Sequence, residues 1–124
     1  MNIYFILSAI LLFIVSLTHS ILGEKRTITP LINSNLQDST FKDKSIDWRK
    51  KIRLAWHTIT IAWWTIVIII IDLAGYENPS QLIVNAIALP FAIMGLFSIV
   101  QYKGKHPSAL LFGVALLLWL GLYL

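Results

Sequence analysis

There is no cysteine in these 124 residues, which excludes disulfides, thiolate metal sites and cysteine nucleophiles together. Charge is scarce as well. Asp, Glu, Lys and Arg make up 13% of the chain against 57% hydrophobic residues, a balance that no soluble domain of this size can bury. Acidic residues are fewest: six, against ten Lys and Arg. A basic chain can bind nucleic acid, but here the basic residues stand beside apolar blocks. Anionic lipid headgroups are therefore the expected counter-charge, and nucleic acid is not an expected partner. No positive charge precedes the first apolar run, and Thr18-His19-Ser20 is a poor cleavage site, so that run reads as a retained helix rather than a secretory signal.

What is present is four apolar blocks, at residues 3–22, 52–73, 82–100 and 108–124. The first two have about the 20 residues that a helix needs to cross a bilayer. The third holds Pro90 and Gly95, which membrane helices tolerate. The fourth is short. Backbone polar groups in lipid must be paired within the segment, so each block is predicted to be a helix. The connections differ in character. Residues 75–81, GYENPSQ, and 102–107, YKGKHP, are short turns rich in Gly, Asn and Pro, with Pro107 suited to the first position of the last helix. Residues 23–51 are long and polar, and 39–51 read as a helical turn on the membrane surface.

All ten Lys and Arg residues lie in the first and third connections or at the start of the second block, and Glu77 is the only charge in 75–81. Positive loops stay in the cytoplasm. The predicted fold is all-α: a four-helix transmembrane bundle in one integral membrane domain, residues 1–124. Both termini are periplasmic and a long basic cytoplasmic loop, 23–51, joins helices 1 and 2. Helices joined by short turns, the second with the third and the third with the fourth, are expected to pack directly. The expected location is a bacterial inner membrane, multi-pass.

The stretch 47–72, DWRKKIRLAWHTITIAWWTIVIIIID, carries a basic run straight into the second block with His57 about 7 Å inside its start. His19 sits at similar depth near the end of the first block, and His106 in the turn before the fourth. Topology thus gathers all three histidines at one membrane face. If helices 1 and 2 pack through their polar faces, His19, Glu24, Arg53 and His57 converge. A metal site from His19, His57, Glu24 and His106, or a haem held by His19 and His57, is the leading reading. Arg53, Trp56 and Thr60 are the candidate ligand contacts beside it. The alternatives are a structural or partner-interaction protein with no cofactor, whether a homo-oligomer or part of a larger membrane assembly, and a lipid- or quinone-binding protein or enzyme. The plainer role for Arg49–Arg53 is topology and anchoring to lipid, and for Trp48, Trp56, Trp63, Trp64 and Trp119 it is interface anchoring and packing. Asp72 and Asn85 are expected to meet across the 75–81 turn.

The pattern His19-Ser20-x-x-Gly23-Glu24, then Arg53-x-x-Trp56-His57-x-x-Thr60, resembles that of small uncharacterised bacterial inner-membrane proteins with four predicted helices. The specific residues of this resemblance cover about 18–64. It implies architecture and carries no chemistry.

Overall fold

The computed structural model describes residues 1–33 and 48–124, and every regular element among them is helical. Helix α1 (Ile3–Gly23) starts at Asn2, whose side-chain oxygen accepts from the Tyr4 and Phe5 amides at 3.0 and 3.4 Å. Helical conformation does not stop at Gly23, where the sequence places the start of a loop. It continues as a π-helical segment, Glu24–Ile28, and a short α-helical piece, Thr29–Ile32. Pro30 offers no amide hydrogen and crowds the carbonyl four residues back. The wider π turn just before it, closed by the Thr29 amide on the Glu24 carbonyl, carries the chain past that defect.

Helix α2 (Trp48–Leu73) begins four residues before the apolar block, drawing its basic run into the helix. The surface turn expected at 39–51 is helical over 48–51, and its residues 39–47 lie outside the described residues. Helix α3 (Gln81–Tyr102) is capped by Ser80, whose hydroxyl accepts from the Ile83 amide at 3.3 Å, and it runs unbroken through Pro90. Lys103 ends it in the left-handed region at φ 55°, followed by Gly104 at φ 75°. Pro107 then opens a 3-10 turn, Pro107–Ala109, that leads into α4 (Leu110–Tyr123).

Three of these helices are long and apolar enough to cross a bilayer, and the fourth is shorter. The chain is accordingly a membrane protein built as a helical bundle. Its exposed Ile, Leu and Phe side chains, such as Ile68, Leu89, Ile93 and Phe97, suit a hydrocarbon surround rather than water.

Helix α1 occupies the middle, packed against α2 on one side and α4 on the other, while α3 packs on α4. The expected direct pairing of α2 with α3 gives way to this order. Those two helices meet through long side chains such as Trp63 and Phe91, ring centroids 6.2 Å apart. Close approach is reserved for surfaces lined by small residues. Ser8 donates to the Val114 carbonyl at 3.0 Å across α1 and α4, and a Cβ on Gly95 of α3 would overlap the Phe112 backbone of α4. Asn2 also ties three helix ends together: its amide donates to the Ala74 carbonyl after α2 at 2.8 Å, and its side-chain nitrogen to the Gly121 carbonyl of α4 at 2.8 Å. The expected Asp72–Asn85 pair is replaced too, since Asn85 accepts from the Trp119 indole of α4 at 2.9 Å.

Candidate functional site

At the opposite end from Asn2, α1 and α2 meet along a polar seam. Residues three and four apart share a helix face. Ser16, His19, Ser20 and Gly23 therefore form one band, and Arg53, Trp56, His57, Thr60 and Trp64 form the other. The innermost contact is the Trp64 indole donating to the Ser16 hydroxyl at 2.9 Å. Further out, Trp56 lies against Gly23 so closely that a Cβ there would overlap the indole ring. The Trp56 indole donates to the His19 carbonyl at 2.9 Å, and the two rings stack with centroids 4.5 Å apart. In return, His19 Nε2 stands 3.4 Å from the Trp56 carbonyl, the long end of a hydrogen bond. A carbonyl only accepts, so Nε2 carries the proton there and Nδ1 is left as an acceptor.

The outermost part of the seam is a four-membered chain. Ser20 Oγ lies 2.6 Å from His57 Nδ1, and His57 Nε2 lies 3.1 Å from Glu24 Oε2. Glu24 Oε1 pairs with Arg53 Nε at 2.8 Å. The carboxylate accepts from His57 Nε2–H, and with a neutral imidazole the Ser20 hydroxyl donates to Nδ1. Both nitrogens of His57 and both oxygens of Glu24 are thereby occupied. Thr60 is 2% exposed and its hydroxyl has no hydrogen-bond partner among the described residues. The usual acceptor for a helical threonine is the carbonyl four residues back. Here that is the Trp56 carbonyl, which His19 approaches.

Beside His19 a cavity of about 200 Å³ opens between α1, its π-helical continuation, α2 and the turn into α4. Val15, Leu22, Trp56 and Trp63 give it apolar walls, and Thr18, His19, Arg26, Thr27, His106 and Ser108 give it polar groups. His106 caps the turn: its Nδ1 accepts from the Ser108 amide at 3.1 Å and lies 2.7 Å from the Ser108 hydroxyl, which also bonds to Ser98. Nδ1 is thus the acceptor, so Nε2–H is a donor. The His106 ring stacks on Tyr102 at 5.0 Å.

The residues singled out from the sequence are thus divided in two. His19, Trp56 and His106 line the cavity; Glu24, Arg53 and His57 form the ion-paired chain outside its lining, and Thr60 is buried in α2. The proposed metal ligands His19, His57, Glu24 and His106 do not gather, because among the described residues no three His, Asp or Glu side chains stand close enough to hold an ion. Trp56 and Trp63 are walls of the cavity as well as packing groups. Arg26 and Thr27 escaped the sequence reading because they fall in what looked like a loop. The signal available was Pro30, which closes a helix as readily as it interrupts a loop.

A serine, an imidazole and a carboxylate in line are also the order of an activated nucleophile. Ser20 lies inside α1, where backbone amides are committed to carbonyls a turn back. Among the described residues the seam therefore presents no free backbone amide beside Ser20. Its bonds link α1 and the π-helical segment to α2. The chain matches no protein-family model, no curated protein and no solved structure.

Proposed function

We propose that this protein binds the polar end of an amphiphile, a lipid or a quinone, in the cavity beside His19, at the cytoplasmic face of a bacterial inner membrane. The observation that carries the reading is the cavity itself: tryptophan and aliphatic walls together with a cluster of polar side chains, His19, Arg26, Thr27 and His106 among them. His19 and His106 both line it, the first with Nδ1 left as an acceptor and the second with Nε2–H as a donor. The placement of all ten basic residues in 23–53 and 103–105 supports the cytoplasmic orientation.

Metal or haem binding has less behind it. His57 and Glu24 each already hold two side-chain partners, and among the described residues no three His, Asp or Glu side chains stand close enough to hold an ion. A structural role for the Ser20–His57–Glu24–Arg53 chain is favoured by that same saturation, and it accompanies the binding role rather than competing with it.

The test is native mass spectrometry of protein purified in mild detergent, with a visible spectrum and elemental analysis of the same sample. A discrete amphiphile adduct, lost on combining His19→Ala with His106→Ala, is the expected result. Bare protein under conditions that preserve the fold removes the amphiphile reading. A Soret band or a stoichiometric metal replaces it with the cofactor reading.

A further inference from the structure

Resting on that binding reading, we infer that the cavity takes a small oxyanion, the unsubstituted phosphate or carboxylate end of an amphiphile. Its lining holds no Asp or Glu. Among the described residues, Glu24 of the neighbouring seam has one oxygen on Arg53 and the other on His57, so its charge is already answered. Its polar lining sets one fixed positive charge, Arg26, beside the Thr18, Thr27 and Ser108 hydroxyls and two imidazoles, His19 and His106, the latter keeping Nε2–H as a donor once Nδ1 has accepted from the Ser108 amide. Guanidinium is the side chain best matched to planar or tetrahedral oxyanions, since it gives two parallel donors.

Size narrows the ligand further. The cavity of about 200 Å³ lies below the roughly 300–1,000 Å³ of pockets that enclose a whole drug-sized ligand. It accommodates a phosphate or carboxylate and the first atoms of its chain, with Trp56 and Trp63 alongside. The ligand class is therefore an anionic amphiphile whose charged group is terminal.

The experiment is a thermal-shift and native mass spectrometry titration of the full chain in detergent with four probes: phosphatidic acid, diacylglycerol, phosphatidylcholine and inorganic phosphate. Phosphatidic acid is expected to bind best, and Arg26→Gln to weaken it about ten-fold, the worth of a hydrogen bond to a charged group. Lys51→Gln, which removes an equal charge from an exposed residue outside the lining, is expected to leave the affinity within about two-fold. Equal binding of diacylglycerol overturns the oxyanion and leaves the amphiphile standing. Equal binding of phosphatidylcholine overturns the terminal charge. Inorganic phosphate binding as tightly as phosphatidic acid upholds the oxyanion and overturns the amphiphile. Equal losses in Arg26→Gln and Lys51→Gln overturn the assignment of Arg26, and no binding by any probe overturns both readings.

Discussion

Gly23 and Thr60 are the two positions where a single group decides the α1–α2 seam. At Gly23 the backbone leaves no room for a Cβ against the Trp56 indole. Gly23→Ala should force that ring off the His19 carbonyl and cost about 1–3 kcal/mol, as overpacking does, measured by unfolding in detergent. Unchanged stability with the cavity intact would show that Trp56 shifts freely. Thr60 presents the reverse case. Its buried hydroxyl makes no bond among the described residues, so Thr60→Val, which keeps the shape, is expected to raise stability by about 1 kcal/mol. A loss of stability would reveal an acceptor for that hydroxyl. The His19, Glu24, Arg53 and His57 group was legible as a convergence, because helical spacing and a shared depth bring such residues together whenever two faces pack. Its division into a saturated chain and a separate cavity was not. That depends on which atom of each ring faces which neighbour, and sequence carries no rotamers.

Helix ends hold most of the strain and most of the specificity. Lys103 sits in the left-handed region that glycine occupies without penalty, one residue ahead of Gly104. Lys103→Gly is expected to stabilise the end of α3 by about 0.5–1 kcal/mol, seen as a higher melting temperature. A lower one would assign the Lys103 side chain a bonding role in the turn that leads to His106. The Glu24–Arg53 pair links the π-helical segment to α2, but its side chains are 32% and 46% exposed. A double-mutant cycle on the two should give coupling of no more than about 1 kcal/mol. A larger value would mean the pair is shielded from solvent in the membrane-bound protein. The apolar blocks announced the helices because lipid leaves the backbone no alternative. The extension of α1 to Ile32 was hidden by its polar composition, Glu24-Lys25-Arg26-Thr27, which reads as loop when taken alone.

At the scale of the molecule, packing order was the least legible property. Short turns promised neighbours in chain order, but long-range contact went to faces with small residues and left α2 and α3 touching through rings. Asn2 secures that order from the end opposite the cavity. It caps α1 and donates to carbonyls at Ala74 and Gly121. Asn2→Ala removes the cap and the side-chain bond to Gly121 while keeping the backbone bond to Ala74, and is expected to cost about 1–2 kcal/mol in a detergent melt. A cost of a few tenths would mean that the apolar seams hold the bundle without it. The central place of α1 also sets a timetable for biogenesis. Its seam with α2 can close while synthesis is still under way, whereas its seam with α4 must wait for the last described helix to leave the ribosome. Until then Ser8 and its neighbours stand open in the bilayer. The nascent chain spends that interval as a half-built bundle, with the α1–α2 seam able to form and the α1–α4 seam still open.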